Sequence, residues 1–232
     1  MLPYYYYGSD YYYSYLIYVV PAIIISLIAQ IMVKSAFSKY SKVYCARTGE
    51  QAARRVLEAN GVYDVKIEHV SGSMTDHFDP KTNTIRLSDT VHSVSSVAAV
   101  GVAAHEAGHA VQYAKGYHPI KWRAAVLPVA KIGSTLSWPL VLLGVLFSFP
   151  ALIDLGIIFF CAALLFQLIT LPVEFNASRR AIRAISDTNL LEYKQIGGAK
   201  RVLRAAALTY VAAAITSILQ LLRLLALANR RR

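Results

Sequence analysis

The chain has 232 residues, 56% of them hydrophobic, with 24 Lys and Arg against 13 Asp and Glu and a formal net charge of +11. That balance fits either a membrane protein with basic flanks or a nucleic-acid binder. Residues 16–33 form an 18-residue run without a charge, and residues 136–173 contain Asp154 as their one charged residue, which decides for the membrane and excludes nucleic acid as a partner.

Residues 1–15 are tyrosine-rich and carry no Lys or Arg. Tyrosine collects at membrane–water interfaces, where its ring is apolar and its hydroxyl wet. The stretch lacks the charged start of a signal peptide, and no small-residue cleavage site follows the run, so residues 16–33 read as a retained first transmembrane helix. Lys34, Lys39, Lys42 and Arg47 come immediately after it. This asymmetry predicts that residue 34 onward faces the cytoplasm and the tyrosines face outside.

Residues 34–123 form the one sizeable hydrophilic region, predicted as a cytosolic α+β unit. Thr48 and Gln51 make a capping-box pattern that opens a helix, and Asn60-Gly61 closes it. Val65, Ile67 and His69 alternate with charged residues as in a strand. Residues 75–78 and 84–88 read as two strands joined by the turn Asp79-Pro80-Lys81-Thr82-Asn83. An apolar approach capped within residues 93–96 then leads into His105-Glu106-Ala107-Gly108-His109, with Gly116 as its stop.

His-Glu-x-x-His on a helix puts His105 and His109 on one face, where both reach one metal ion. Zinc suits imidazole ligands, and three protein ligands leave a position for a water that becomes a nucleophile near neutral pH. Glu106 is offset round the helix. It is placed to take that water's proton and pass it to a leaving amine. Gly101 and Gly108 lie on the His105 side and would admit another backbone. His69, His77, His92 and His118 read as strand or loop residues rather than ligands. His77 sits in a hairpin whose edge could pair with an extended peptide. Cys45 and Cys161 form no Cys-x-x-Cys and point to a reduced compartment without a disulfide.

Residues 124–171 read as a transmembrane helical hairpin, interrupted by Lys131 and turning outside at residues 150–154. Its basic flanks, Lys121 and Arg123 before and Arg179, Arg180 and Arg183 after, agree with the first orientation. Residues 172–198 are predicted as a second helix, begun by Pro172, followed by a polar loop at 186–198. Glu174 there is either the third metal ligand or an acid in a first helical turn. The three arginines read as a basic face against anionic lipid. Residues 199–232 contain an apolar run, 205–222. If it spans, Arg223 and Arg230–Arg232 land outside, against the charge rule. If it packs on the catalytic unit, Tyr210 could stabilise an oxyanion.

The chain resembles the YugP-like neutral zinc metallopeptidases of bacterial membranes. The likeness is carried by the tyrosine-rich start, Thr75-Asp-His-Phe-Asp-Pro80, Ile85-Arg-Leu-Ser88, His105-Glu-Ala-Gly-His109, Leu171-Pro-Val-Glu-Phe-Asn-Ala-Ser178 and Ala205-Ala-Ala-Leu-Thr-Tyr210. In architecture it is similar to the HtpX-type gluzincins. The resemblance implies an α-helical integral membrane protein of the bacterial plasma membrane, with three to four transmembrane helices and a small α+β zincin-like catalytic unit. It implies zinc as cofactor, His105, His109 and Glu174 as ligands, and a metalloendopeptidase with Glu106 catalytic. Ser178 stands where the wider group has Asp, leaving open whether it supports a ligand histidine. The partners implied are a peptide or membrane-protein substrate and the lipid bilayer, with a homo-oligomer or membrane partner compatible. The alternative is a membrane scaffold or chaperone-like protein with a structural zinc site.

Overall fold

The computed structural model describes residues 15–229. The tyrosine stretch 1–14, expected to be external, and Arg230–Arg232 lie outside the described residues. In chain order the elements are α1 (Val20–Ser41, opened by a π-helical turn at Tyr15–Val19), α2 (Gly49–Ala59), β1 (Lys66–Val70), β2 (His77–Asp79), β3 (Thr84–Ser88), α3 (Val97–Ala114), α4 (His118–Leu146), α5 (Pro150–Asp187) and α6 (Tyr193–Asn229). They divide into two compact units. One comprises Ile31–Lys121 and Leu171–Leu208, the other residues 15–30, Trp122–Thr170 and residues 209–229.

The first unit holds the sheet. Local chemistry sets the ends of α2, where Thr48 Oγ1 accepts from the Gln51 amide and Gln51 Oε1 accepts from the Thr48 amide, the expected reciprocal box. Ala52, Ala53, Val56 and Leu57 recur at helical spacing and are fully buried, so this face packs on α3. β3 is the central strand, with Ile85 and Leu87 fully buried. It pairs antiparallel with β2, as the expected hairpin requires, and parallel with β1, aligning Ile67, Ile85 and Phe78 in one row. β2 is therefore an edge strand. α3 lies against β2 and β3. Ser96 caps it by accepting from the Ala99 amide, and Gly116 follows its C-terminus at φ 63°.

The predicted polar loop at 186–198 is corrected. Ser186 and Asp187 complete α5, α6 starts at Tyr193, and residues 188–192 alone connect them. Gly197 and Gly198, poor helix formers, lie within α6. A side chain at Gly198 would meet the Tyr40 ring and Val97, so packing rather than propensity decides there.

The second unit is helical. Four helices of the chain, Tyr15–Ser41, His118–Leu146, Pro150–Asp187 and Tyr193–Asn229, are long and apolar enough to cross a membrane. Leu142, Leu146 and Ile158 turn outward, each more than 60% exposed, an apolar surface water would not favour. The turn expected at residues 150–154 is shorter and lies earlier. It occupies residues 147–149, with Ser148 at φ 52°, and Pro150 is the first residue of α5, where its missing N–H is no loss. α4 and α5 approach closely at Gly133, where a Cβ would collide with the Phe159 carbonyl. α1 and α6 run antiparallel: Ser26 Oγ lies 3.2 Å from Thr216 Oγ1, and the Arg223 guanidinium stands 4.3 Å over the Tyr15 ring. The choice between a spanning and a packed C-terminal helix thus meets a continuous α6 alongside α1.

The β2–β3 turn is held by one carboxylate. Asp79 accepts from the Lys81 amide, Thr82 Oγ1 and Arg86 Nη1 at 2.9–3.1 Å. These bonds, the Lys81 amide first, pull its pKa down to about 2. A depressed carboxylate stabilises the fold above its ordinary value of 3.8 and loses that contribution as pH falls through about 2. Asp79→Asn should therefore speed amide exchange severalfold at Lys81 near neutral pH, measured by hydrogen exchange. The parent's protection there should fade only on acidification below about 4.

Candidate metal centre

Two helices of the first unit supply the chemistry. α3 carries His105, Glu106 and His109, and the 171–187 stretch of α5 carries Glu174. The four-residue spacing brings the two imidazoles together, ring centres 4.7 Å apart and nearly perpendicular at 83°. Pro172 does not begin a helix as expected; it lies inside α5. Glu174 is thus more than twenty residues from the N-terminus of its helix, and the helix dipole gives no reason for an acid there.

Glu174 Oε2 lies 3.2 Å from His105 Nε2 and 3.5 Å from His109 Nε2, and the two Nε2 atoms are 3.2 Å apart. Among the described residues these three form the group of His, Cys, Asp and Glu donors that converge closely enough to hold one metal ion. Zinc bonds of about 2.0–2.1 Å in tetrahedral array put neighbouring ligand atoms roughly 3.3–3.4 Å apart. The observed edges of 3.2, 3.2 and 3.5 Å lie close to those, so the donor set fits zinc in both chemistry and size.

Glu174 is 2% exposed, and two imidazoles are the partners that offset the desolvation of its carboxylate. At His109 burial opposes the imidazolium. The Glu174 hydrogen bond, the charges of Glu106 and Glu174 and the bond to Gln112 outweigh it, so the net push on its pKa is upward. The carboxylates therefore favour a cation at this point, a proton or a metal ion alike. Glu106, 9% exposed, adjoins His105 in the chain and stands outside the three-donor group.

The other expected histidines are engaged elsewhere. His69 Nε2 is 2.6 Å from Asp89, His77 Nδ1 faces the Thr75 carbonyl, His92 lies beside Ser93 and Glu50, and His118 opens α4. Tyr210 lies on α6 in the helical unit. Ser178 Oγ sits 3.2 Å from His105 Nδ1, so a hydroxyl occupies the supporting position. Sequence reading passed over Gln112 and gave Asn176 no role. Gln112 is fully buried and touches His109 Nδ1, the Val173 carbonyl and Asn176. The signal for it was its place three residues after His109 and seven after His105, on the ligand face of α3.

Gly108 makes the convergence possible. A Cβ there would stand 2.8 Å from the Ala177 carbonyl oxygen, closer than real contacts allow. Gly101 is not constrained in this way, since its Cβ would meet Ala199 at an ordinary 3.5 Å. Gly108→Ala should lower stability by about 1–3 kcal/mol through overpacking, whereas Gly101→Ala should change it by less than about 1 kcal/mol. Thermal unfolding of the metal-free protein in detergent checks both.

The fold and site together define a three-donor centre that fits zinc, in a mainly helical chain with membrane-length helices. A family profile described as "Putative neutral zinc metallopeptidase" matches residues 15–229, and the chain belongs to that family, whose metal is zinc. Among curated proteins, "Putative membrane protease YugP" of Bacillus subtilis (strain 168) is 48% identical over 206 residues, 88% of this chain and 92% of the relative. No solved structure matches the chain.

Proposed function

We propose that this protein is a zinc-dependent endopeptidase of the bacterial plasma membrane, of gluzincin type, with its site at the cytoplasmic surface and membrane or unfolded proteins as substrates. The observation that carries the reading is the convergence of His105, His109 and Glu174 with Glu106 left over as a base. When bound, zinc polarises the attacking water and the scissile carbonyl. His105, His109 and Glu174 hold it. Glu106 removes the proton as the water oxygen bonds to the carbonyl carbon, then delivers it to the amide nitrogen as the C–N bond breaks, giving a carboxylate and an amine. β2, an edge strand against α3, offers main-chain pairing to an extended peptide.

The alternative, a scaffold with structural zinc, would favour a site closed by four ligands. Three donors converge here, beside a carboxylate that is not one of them. Glu106→Gln should keep about one zinc per chain and lower peptide hydrolysis by a factor of about 10² or more. Glu174→Gln should weaken zinc binding markedly, since it removes the anionic ligand. Zinc stoichiometry after dialysis against a mild chelator, together with cleavage of an unfolded protein in native-like lipid, reads both. Equal zinc retention in Glu174→Gln and the parent would remove Glu174 from the site.

Orientation is supported by the positive-inside pattern of Lys34, Lys39, Lys42, Lys121, Arg123, Arg179 and Arg183. Glu174 follows the apolar run ending at Leu171 by three residues, roughly 5 Å along a helix, which supports chemistry at the inner membrane surface. The antiparallel pairing of α1 and α6 supports four spans, with the Arg223 charge compensated by the Tyr15 ring. A reporter fused after residue 60 or at 188–192 should report the cytoplasm, and one at 147–149 the outside. The reverse pattern would move the site across the membrane.

A further inference from the structure

We infer that Gln112 is a positioning residue that dictates the tautomer of His109 and fixes the register between the two ligand-bearing helices. This rests on the zinc reading above and goes beyond it.

The polarity of every link can be derived. Arg180 Nε lies 2.8 Å from the side-chain amide of Asn176, and a guanidinium only donates, so the atom facing it is Asn176 Oδ1. That same oxygen is 3.0 Å from the carboxamide of Gln112, which must therefore present its NH₂. The Val173 main-chain carbonyl, 2.8 Å from the same nitrogen, requires this independently. Two acceptors on one side leave Gln112 Oε1 on the other, 3.0 Å from His109 Nδ1. An acceptor there requires Nδ1 to carry the hydrogen. In the neutral ring, the form that binds a metal, the lone pair of His109 is then on Nε2, the atom that faces His105 Nε2 and Glu174 Oε2. A flipped Gln112 would set its oxygen against two acceptors in a site with no exposure to water, so the other orientation is excluded.

The same carboxamide acts on α5. Its nitrogen grips the carbonyl of Val173, the residue before Glu174, and the side chain of Asn176, two residues after it. One side chain of α3 thus brackets the anionic ligand on α5. A slip of α5 along α3 would break both bonds.

The test uses the full chain in detergent. Gln112→Met keeps the volume and removes the hydrogen bonds. Asn176→Asp keeps an acceptor for both Gln112 and Arg180, and Asn176→Leu removes it. Zinc affinity is read by competition with a chromophoric chelator, the His109 tautomer by long-range ¹H–¹⁵N spectra of histidine-labelled metal-free protein, and folding by thermal unfolding. We expect Gln112→Met to weaken zinc binding by about 10- to 100-fold and to shift His109 toward a mixture of tautomers. Asn176→Asp should bind zinc like the parent, whereas Asn176→Leu should lose affinity. Parent-like affinity in Gln112→Met overturns the inference. So does a loss of affinity with the His109 tautomer unchanged, since that marks a merely structural role. If His109→Ala binds zinc as the parent does, the zinc reading itself fails and the inference falls with it. Normal loss in His109→Ala beside an unaffected Gln112→Met overturns the positioning role alone.

Discussion

The contact on which the site depends is the approach of α3 to α5 at Gly108, where the Ala177 carbonyl takes the space of a side chain. The residues at the crossing are small, Gly108 on α3 and Ala177 on α5, and both are buried. On α5 the positions 174, 177, 178 and 181 share one helical face. The spacing that packs the helix therefore also presents the carboxylate of Glu174 and the hydroxyl of Ser178. On α3 the residues at 105, 108, 109 and 112 form the complementary face. Packing and chemistry use one interface, so neither can be altered without the other.

This explains how a carboxylate comes to be buried in an otherwise apolar wall. Ionised groups are rarely taken out of water without partners, and an unpaired one would shift the balance against folding. Glu174 has two imidazole nitrogens within 3.5 Å. The imidazoles in turn are each supported at Nδ1, by Ser178 and Gln112. Val100, Ala103, Val111, Ala181 and Ile185, from the same two helices, belong to the buried apolar core of this unit.

What the sequence made legible was mostly local. The Thr48–Gln51 box, the Ser96 cap and the spacing of His105 and His109 each involve residues within four positions of one another, where backbone geometry alone determines who meets whom. The hairpin β2–β3 follows from its turn. The parallel pairing of β1 with β3 was not legible, because nothing near Ile67 or Ile85 specifies a partner eighteen residues away. Pro172 and the polar stretch 186–198 misled for a related reason. Pro172 and Gly197-Gly198 are helix breakers by propensity, and they lie inside long helices whose neighbours settle the matter. Glu174 could be narrowed to two readings by spacing, and the resemblance to a family favoured one. Its convergence with the histidines, like the burial of Gln112, depends on packing between segments some 60 residues apart.

Ser178 has a consequence in charge. The three converging donors are two imidazoles and one carboxylate, and the groups at both Nδ1 atoms, Ser178 and Gln112, are uncharged. An acid at position 178 would have brought a third carboxylate to a centre already flanked by Glu106 and Glu174. With a hydroxyl there, no further acid is added to those two. Uncharged supports also push less electron density through the rings than a carboxylate would. In the proposed reading, a zinc ion held here would keep more of its electron-withdrawing power, and Glu106 would be its proton acceptor.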